Sequence, residues 1–509
     1  MTTMKAQFDT ERHHALLTKA DTAVAHTNVN LRWHPEIHIA PRAGWMNDPN
    51  GVCYFAGRYH VFFQHHPYNA QWGPMHWGHV TSQDLVTWQR ESVALAPSED
   101  YDRDGVWSGS AVVTDDGELA VFYTGNRWHN GQDDTEGKYQ YQCLATSDDG
   151  HTFTKHGIVI EPPAGVEDIR DPKVWREDGR WWMIVGVSAP VASNNTNRRG
   201  QVWLYSAENL TSWAFEQVLY EDPDPLCYMI ECPDFFDIDG KRVLIYCPMT
   251  TAVKCGYGQR NGHNAGYAAG LWKPGEKFEV KHEFSQFDWG HHFYAPQTCA
   301  MPDGRRIMFG WLGGFELPLA SQKEDNWSGH GALPRTVHID DDYVLRTLPI
   351  AEITALRQTE KAYEVTNFTV DVDQTIQMLD YDGPQEIIVE VDLEKTTSEQ
   401  VAVLVNQISE TEYTEVSYDS LAQRVVLNRG KVGRTDRGYR AAPYDGQAAL
   451  QLRIVVDRGS VEVFINDCEH TLSSLVFPRS GRRAISLAAV GGSIAVRRFV
   501  SYPLRSMWQ

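Results

Sequence analysis

Five polar segments recur along the chain at intervals close to 60 residues, and this repeat limits the possible folds more than any other feature. The segments centre on Asp48, Ser110, Asp171, Glu231 and Tyr294, which are 62, 61, 60 and 63 residues apart. Short apolar runs of β type lie between them, separated by Gly, Pro, Asn and Asp. A unit of about 60 residues holds four strands, which is one propeller blade. We therefore predict an all-β, five-bladed β-propeller in which the five segments converge on one pocket.

The sequence changes character after the propeller region. From about residue 362, runs such as EIIVEVDLE and LQLRIVVDR alternate apolar and polar residues with a period of two, as β-sandwich strands do. Near the N-terminus the apolar residues recur at helical spacing, which predicts a short amphipathic helix. The predicted organisation is an N-terminal helical extension (1–32), the propeller (33–346), a linker (347–361) and a C-terminal β-sandwich (362–509).

Charge and cysteine content narrow the class of protein. Lys and Arg number 46 and Asp and Glu number 67, so the net charge is −21, which argues against nucleic acid or an anionic membrane as partner. No apolar run reaches the ~18 residues of a membrane span, and no secretory leader is recognisable. The eight cysteines form no CxxC pair, which favours free thiols in a reducing cytoplasm, although an even number also permits disulfides. We expect a cytoplasmic protein.

Three carboxylates are candidates for catalysis. Taken alone, Asp48 in WMNDPNG reads as a turn cap, and Asp171 beside Arg170 reads as a surface ion pair. Glu231 lies in the apolar run CYMIECPDFF, so we expect desolvation to raise its pKa and keep it protonated. Because the three are one or two repeats apart, we expect them in one pocket, where paired carboxylates with one proton suit glycosidic bond cleavage.

Several motifs then identify a family. The segments WMNDPNG, WGPMHWGH, WSGSA, RDPKVW, ECPDF and FYAPQ resemble those of glycoside hydrolase family 32 and, within it, intracellular bacterial β-fructofuranosidases. The similarity covers about residues 33 to 345, with a weaker match at 457–467. The resemblance implies a five-bladed propeller followed by a β-sandwich, in agreement with the repeat.

The resemblance also implies residue roles. Asp48 matches the nucleophile that attacks C2 of a fructosyl unit, Glu231 the general acid/base, and Asp171 the residue that stabilises the transition state. We expect the substrate-binding residues to be Asn47, Gln64, Trp72, Ser110, Arg170, Asp288, Tyr294 and Trp311. Strict strand alternation would point Arg170 away from the face of Asp171, so either the strand bends there or Arg170 supports the site from behind.

Two segments depart from the common family pattern. The family often shows D-x-G-x-D-F-Y where this chain has Asp288-Trp-Gly-His-His292-Phe-Tyr, and FSGSA where it has WSGSA. We expect both changes near the leaving group. Trp311 and Trp327 are candidates for a stacking wall, with propeller packing as the alternative. The histidine pairs lack acidic partners at ligand spacing, and no nucleotide motif is present, so we expect neither a metal nor a cofactor.

These observations predict a retaining β-fructofuranosidase that hydrolyses sucrose, with raffinose or short fructo-oligosaccharides as further substrates, through a covalent fructosyl-enzyme. Retention predicts that the carboxyls of Asp48 and Glu231 lie roughly 5–5.5 Å apart. The alternatives are hydrolysis of sucrose 6-phosphate, an arabinan-type enzyme or a transfructosylase, and a non-catalytic fructan-binding propeller. Hydrolysis of sucrose 6-phosphate needs a basic cluster to bind the phosphate, and the sequence shows no such cluster. The presence of all three carboxylates argues against a non-catalytic binding protein. Dimerisation through the sandwich stays open.

Overall fold

The computed structural model describes residues 8–191, 194–250, 256–433 and 438–509. It begins with helix α1 (Thr10–His26), whose first turn is capped because the Asp9 carboxylate accepts a hydrogen bond from a backbone N–H. The helix lies on the main body, where Nδ1 of His13 is 3.0 Å from the Ser98 hydroxyl. The predicted N-terminal helix is therefore confirmed, while residues 1–7 of the extension lie outside the described residues.

Five sheets follow, each built from strands that are consecutive in the chain, except that one short strand from the end of this region joins the first sheet. The strands of the first two sheets are β1 (Gly44–Phe55), β2 (Arg58–His66), β3 (His76–Ser82), β4 (Trp88–Arg90), β5 (Gly105–Val113), β6 (Leu119–Trp128), β7 (Lys138–Ser147) and β8 (Thr154–Ile160). Those of the next two are β9 (Ile169–Glu177), β10 (Arg180–Val191), β11 (Asn194–Ala207), β12 (Ala214–Glu221), β13 (Cys227–Ile238), β14 (Lys241–Thr250), β15 (Gly266–Leu271) and β16 (Glu279–Gln286). The fifth group is β17 (Tyr294–Ala300), β18 (Arg306–Leu312), β19 (Trp327–Ser328), β20 (His330–Gly331), β21 (Arg335–Ile339) and β22 (Leu345–Pro349).

The sheets are arranged as blades around a channel. The first strands of neighbouring blades, β1, β5, β9, β13 and β17, contact one another in a ring. The ring is closed after the fifth blade, because β19 pairs in parallel with β1 through Trp327 and Gly44. The short helix α2 (Ala320–Glu324) precedes this closing strand. The predicted five-bladed propeller is therefore confirmed, and the five polar segments lie on its innermost strands.

The C-terminal part is a sandwich of two six-stranded sheets. Its strands are β23 (Tyr363–Val370), β24 (Thr375–Tyr381), β25 (Gln385–Asp392), β26 (Gln400–Ser409), β27 (Glu412–Asp419), β28 (Arg424–Asn428), β29 (Tyr439–Pro443), β30 (Ala449–Val456), β31 (Ser460–Ile465), β32 (His470–Leu475), β33 (Arg483–Val490) and β34 (Ile494–Pro503). Alternate aliphatic side chains of both sheets form one buried core, as the period-two pattern predicts.

Short 3-10 helices occupy the connections. They span Asp100–Asp102, Asp134–Glu136, Ala351–Leu356 and Thr359–Lys361. The last two connect the propeller to the sandwich, within the segment predicted as a linker. The outer strand of the fifth blade extends to Pro349, three residues into that segment.

A buried charged network joins the two domains. The imidazole of His38 lies 2.8 Å from the carboxylate of Asp457 and 2.9 Å from that of Glu462. The Arg335 guanidinium bridges Glu462 at 2.7 Å and Asp288 at 3.1 Å. Because these charges are almost completely buried, each depends on its partners in the other domain.

No helix among the described residues is long and apolar enough to cross a membrane. The seven cysteines in the described parts of the chain are free thiols, and six of them are buried. Cys255 lies outside the described residues.

Candidate active site

Each innermost strand is bulged where its polar segment lies. One extra residue is accommodated in β1 between Met46 and Pro49, in β9 between Arg170 and Lys173, in β13 between Glu231 and Asp234, and in β17 between Tyr294 and Gln297. Each bulge contains or ends at a proline, which has no N–H to offer the ladder. The residue before that proline has positive φ in three strands, at Asp171 (63°), Cys232 (48°) and Ala295 (49°). The bulges turn consecutive side chains towards the same mouth of the channel.

The second blade reaches the same geometry with a glycine. In β5 the register shifts between Trp107 and Gly109. A Cβ atom on Gly109 would lie 1.8 Å from the Phe122 carbonyl oxygen, so only glycine allows this approach of the strands. The shift directs the Ser108 hydroxyl to Asp48, whose Oδ2 it reaches at 2.6 Å.

Asp48 is buried among hydrogen-bond donors from three blades. Besides Ser108, Asn47 donates to its Oδ1 at 3.0 Å and the Cys232 thiol lies 3.4 Å from its Oδ2. Burial raises the pKa of Asp48 above its usual range, against the hydrogen bond from Ser108 and with the support of the Glu231 charge. The donors therefore fix the orientation of a carboxylate that burial alone would favour in its neutral form.

Glu231 is held by two partners. Arg170 approaches its Oε1 at 2.8 Å through Nη2, and the Tyr294 hydroxyl donates to its Oε2 at 2.5 Å. Burial opposes ionisation, yet the Arg170 charge and these hydrogen bonds outweigh it and hold the pKa of Glu231 below its ordinary value. The expected rise in the pKa of Glu231 is therefore wrong. The apolar neighbours in the sequence gave no sign of the guanidinium that folding brings from the adjacent blade.

Asp171 completes the group. Its Oδ2 accepts a hydrogen bond from the backbone N–H of Cys232 at 2.8 Å. Burial raises its pKa to about 7, opposed by Arg170 and reinforced by the charges of Glu231 and Asp48. Since three carboxylates face one guanidinium, the group favours retention of a proton near neutral pH.

These residues line one open cavity of about 450 Å³. Of the predicted site residues, it brings together Asp48, Asp171, Glu231, Asn47, Gln64, Trp72, Arg170 and Tyr294. The bulge resolves the question raised by Arg170, because both Arg170 and Asp171 face the cavity. The strand bends, and Arg170 contacts Glu231 directly.

Aromatic rings form one wall of the cavity. The indole of Trp72, which is 41% exposed, packs edge to face against Trp107 with 5.7 Å between the ring centroids, and Trp107 packs in the same way against Trp128. Beyond them, the rim carries Asp133, Asp134 and other polar residues. Flat apolar faces next to carboxylates are the surfaces on which sugar rings stack.

Three predicted site residues lie elsewhere. Ser110 is buried behind the cavity, where its hydroxyl donates to the Pro172 carbonyl at 2.8 Å and accepts from the backbone of Val174. It joins β5 to β9, and Ser108, two residues earlier, lines the cavity beside Asp48 instead. The strand bulge, invisible in the motif WSGSA, decides which of the two serines faces the cavity.

Asp288, predicted to bind substrate, also lies outside the cavity. Its carboxylate accepts hydrogen bonds from the backbone and side chain of Ser473 at 2.7 Å and pairs with Arg335, all at the junction with the sandwich. His292 lies in the same seam, where its Nδ1 accepts from the backbone of Leu475 at 3.1 Å. The departure from the family pattern in this segment therefore falls at the domain junction. Trp107, the other departure, does line the cavity.

Trp311 and Trp327 are both fully buried, and neither of them lines the cavity. The ring of Trp311 lies 5.0 Å from that of Phe315, which is 40% exposed and does line the cavity. The aromatic ring that lines this side of the cavity is thus Phe315, which packs against the buried Trp311. Propeller packing, the alternative reading, accounts for both tryptophans.

The sequence motifs did not predict four residues of the site, which are Ser108, Cys232, His263 and Phe315. A signal was present for Cys232, because the prolines of N-D-P, R-D-P, E-C-P and Y-A-P recur at one position in four repeats. That recurrence marks the bulges and hence the residues around them. His263 lies just before β15 and Phe315 lies between β18 and α2, outside the strands that a periodic pattern locates.

The histidines have structural partners. Nδ1 of His65, His66 and His76 bonds to backbone carbonyls, and His60 pairs with His79. Within the parts of the chain that the structure describes, no group of three or more His, Cys, Asp or Glu side chains is placed to hold a metal ion.

Comparison with known families covers nearly the whole chain. Residues 38–349 match the model of the glycosyl hydrolases family 32 N-terminal domain, and residues 352–503 match that of the family 32 C-terminal domain. A sucrose-6-phosphate hydrolase of Escherichia coli is 39% identical over 94% of this chain and 96% of its own length. A raffinose invertase of Escherichia coli is 42% identical over 90% of this chain and 93% of its own.

Solved structures of similar proteins have the same fold. A GH32 β-fructofuranosidase of Bombyx mori superposes with a TM-score of 0.83 at 30% identity, covering 97% of this chain and 99% of that one. A sucrose-6-phosphate hydrolase from Lactobacillus gasseri superposes with a TM-score of 0.82 at 25% identity, covering 97% of each chain.

Proposed function

The chain belongs to glycosyl hydrolase family 32 and is a glycoside hydrolase, and from this premise we propose that it is a retaining β-fructofuranosidase that acts on sucrose. The observation that carries the proposal is the convergence of Asp48, Asp171 and Glu231 from three blades on one cavity. The Escherichia coli relatives named for sucrose 6-phosphate and raffinose support a fructosyl substrate.

The proposed reaction has two steps. Asp48, fixed by Asn47 and Ser108, attacks C2 of the fructosyl unit. The bond between C2 and the glycosidic oxygen breaks as Glu231 gives that oxygen a proton, and glucose leaves. Glu231 then removes a proton from water, which attacks C2 and releases Asp48 and fructose. Asp171 accepts hydrogen bonds from fructose hydroxyls and stabilises the positive charge that develops on the ring.

Glu231 must carry a proton before the first step, although Arg170 favours its ionised form. We propose that bound substrate raises the pKa of Glu231 enough for the carboxyl to hold a proton. A glycosidic oxygen placed beside Glu231 is a hydrogen-bond acceptor, and it favours the protonated carboxyl. The proton shared among the three carboxylates then resides on Glu231 in the substrate complex.

Charge at the rim supports unphosphorylated sucrose over sucrose 6-phosphate. Lys138 lines the cavity, and it is already paired with Asp168 at 3.0 Å and Asp134 at 3.6 Å. Asp133 and Asp134 add negative charge on the same side. A phosphate dianion on the glucosyl unit would face these carboxylates, and the two cations among the described residues that line the cavity, Lys138 and Arg170, are already paired with carboxylates. The wall of Trp72, Trp107 and Trp128 supports raffinose and short fructo-oligosaccharides as further substrates.

The decisive experiment is a kcat/KM comparison for sucrose, sucrose 6-phosphate, raffinose and inulin, with released glucose and fructose quantified. We expect sucrose to exceed sucrose 6-phosphate at least about tenfold, which is ~1.4 kcal/mol of transition-state binding. A preference for the phosphorylated sugar would overturn this choice of substrate, and no release of fructose from any of the four would overturn the activity.

The stereochemistry and the roles need separate tests. Transfer to methanol is expected to give methyl β-fructofuranoside, and the α anomer would overturn retention. Asp48→Ala and Glu231→Ala are expected to lose about 10⁴-fold or more in kcat while keeping the native circular dichroism spectrum. Asp341→Ala, which removes an exposed acid from a turn, is the matched control and keeps full activity.

A further inference from the structure

The channel of the propeller has a second mouth, opposite the catalytic cavity. It opens into a cavity of about 630 Å³, lined by the second halves of all five innermost strands. On β9, for example, Asp171 faces one mouth, while Lys173 and Arg176 line the other. The two cavities share no lining residue.

Cationic side chains are concentrated at this mouth in a protein whose net charge is −21. Its lining includes four cationic residues, Lys173, Arg176, Arg242 and Arg306, against the two carboxylates of Glu177 and Asp237. Three of the four have carboxylate partners: Lys173 pairs with Asp234, Arg242 with Glu177, and Arg176 with Asp115.

Arg306 differs from the other three. No ion pair found among the described residues includes it. Its Nη1 donates to the neutral Thr298 hydroxyl at 2.9 Å, and its guanidinium carbon lies 4.2 Å from the ring centroid of Phe236. Stacking occupies one face of the guanidinium and leaves its edge, with the remaining N–H donors, available for a planar bidentate contact.

We propose that this mouth is a binding site for the phosphate group of a small metabolite, with Arg306 as its main ligand. A guanidinium edge is the group that proteins use for bidentate recognition of phosphate. The cavity is larger than a free phosphate ion requires, and the half-exposed ring of Tyr54 and the indole of Trp175 in its lining offer faces on which a sugar can stack. The class of ligand is therefore a phosphate monoester such as a sugar phosphate.

The test measures binding of inorganic phosphate and of glucose 6-phosphate to the full chain by calorimetry, at constant ionic strength maintained with chloride. We expect one saturable site per chain, tighter than about 1 mM, that is unaffected by saturating fructose in the catalytic cavity. Tighter binding of glucose 6-phosphate identifies a sugar phosphate, and equal affinities identify the phosphate ion. Absence of saturable binding, or displacement of the anion by fructose, would overturn the proposal.

Variants locate the site. Arg306→Gln is expected to weaken binding at least tenfold while sucrose hydrolysis in the absence of phosphate is unchanged. The matched control is Arg305→Gln, because Arg305 points to Asp303 and Glu352 and does not line the cavity. Arg306→Lys, which keeps the charge and loses the planar fork, is expected to weaken binding several-fold and serves if the glutamine variant does not fold. Equal affinity of both Arg306 variants and the wild type would overturn the assignment.

Discussion

Arg170 and Glu231 form an ion pair between the third and fourth blades, with 2.8 Å between Nη2 and Oε1. The pair exists because the bulge in β9 turns Arg170 into the cavity beside Asp171. It favours the ionised form of the carboxylate that must donate a proton. The acid step is therefore expected to depend on how strongly the partners of Glu231 hold its charge.

Tyr294→Phe tests this dependence. Removal of the hydroxyl deletes one hydrogen bond to ionised Glu231, so the pKa of Glu231 rises. Because Glu231 acts as an acid when protonated, the alkaline limb of kcat/KM moves to higher pH. We expect a shift of about one pH unit, since a hydrogen bond to a charged group contributes about 1.5 kcal/mol. The pH profile of sucrose hydrolysis measures it.

The control is Tyr220→Phe, which removes a buried hydroxyl that is bonded to Tyr246 and does not line the catalytic cavity. Its pH profile should match the wild type. An alkaline limb that stays in place in Tyr294→Phe, with only KM changed, would assign Tyr294 to substrate binding alone.

Ser108 and Ser110 provide a matched pair of substitutions. Ser108→Ala removes a donor that lowers the pKa of Asp48, so that pKa rises further. Asp48 must be ionised to attack C2, and the acid limb of kcat/KM therefore moves to higher pH, with activity reduced about tenfold at pH 6.

Ser110→Ala breaks two hydrogen bonds between β5 and β9 and leaves Asp48 untouched. We expect a loss of about 1–2 kcal/mol in unfolding free energy and an unchanged pH profile. Urea unfolding and the same kinetic assay separate the two effects. If Ser110→Ala moved the acid limb and Ser108→Ala did not, the placement of the two serines would be reversed.

The propeller and the sandwich could be predicted because their signals are periodic. A repeat near 60 residues indicates blades, and alternation with period two indicates sandwich strands. The three carboxylates follow from the same repeat and from the family motifs. What periodicity cannot supply is which side chain of a short polar segment faces inward, because one extra residue in a strand exchanges the two faces.

Ser110 and Asp288 illustrate this limit in different ways. Ser110 was placed by its spacing in the repeat, but a one-residue shift in β5 exposes Ser108 instead. Asp288 was placed by its motif, but its partners Arg335 and Ser473 lie far along the chain, where no local pattern links them. The lowered pKa of Glu231 has the same origin, since Arg170 is 61 residues away in sequence.

Trp72 and Trp311 separate substrate stacking from core packing. Trp72→Ala removes an exposed indole face from the cavity wall, so KM for sucrose should rise about tenfold with the fold intact. Trp311→Phe instead leaves a void behind Phe315 and lowers the unfolding free energy by about 1–3 kcal/mol, with a much smaller change in KM. Steady-state kinetics and urea unfolding of both variants measure this. A larger KM effect in Trp311→Phe would return that residue to the substrate site.

His38 controls the stability of the domain junction. Burial opposes its charge, but hydrogen bonds and charges of Asp457 and Glu462 prevail and raise its pKa to about 9. The pKa values of both carboxyls are lowered to about 2. Arg335 faces Glu462 in the same network, and the nearby His330 stays neutral because its pKa is lowered to about 3.

The direction of the pH effect follows from these values. A pKa raised from 6.5 to about 9 contributes stability that is complete below pH 6.5 and disappears as the pH rises through 9. The lowered pKa values of Asp457 and Glu462 contribute above about pH 4.5, the unfolded value, and are lost towards pH 2. The network is therefore strongest between about pH 4.5 and 6.5.

His38→Gln removes this charge and leaves Asp457 and Glu462 without their shared cation. We expect the variant to lose about 3 kcal/mol of unfolding free energy at pH 6, and the difference from the wild type to shrink as the pH approaches 9. Urea unfolding at pH 6, 7.5 and 9 measures it, with His129→Gln, an exposed histidine bonded only to a backbone carbonyl, as control. A difference that is the same at all three pH values would mean that His38 joins the domains as a neutral hydrogen-bonding group, because only a protonated imidazole makes the stabilisation depend on pH in this range.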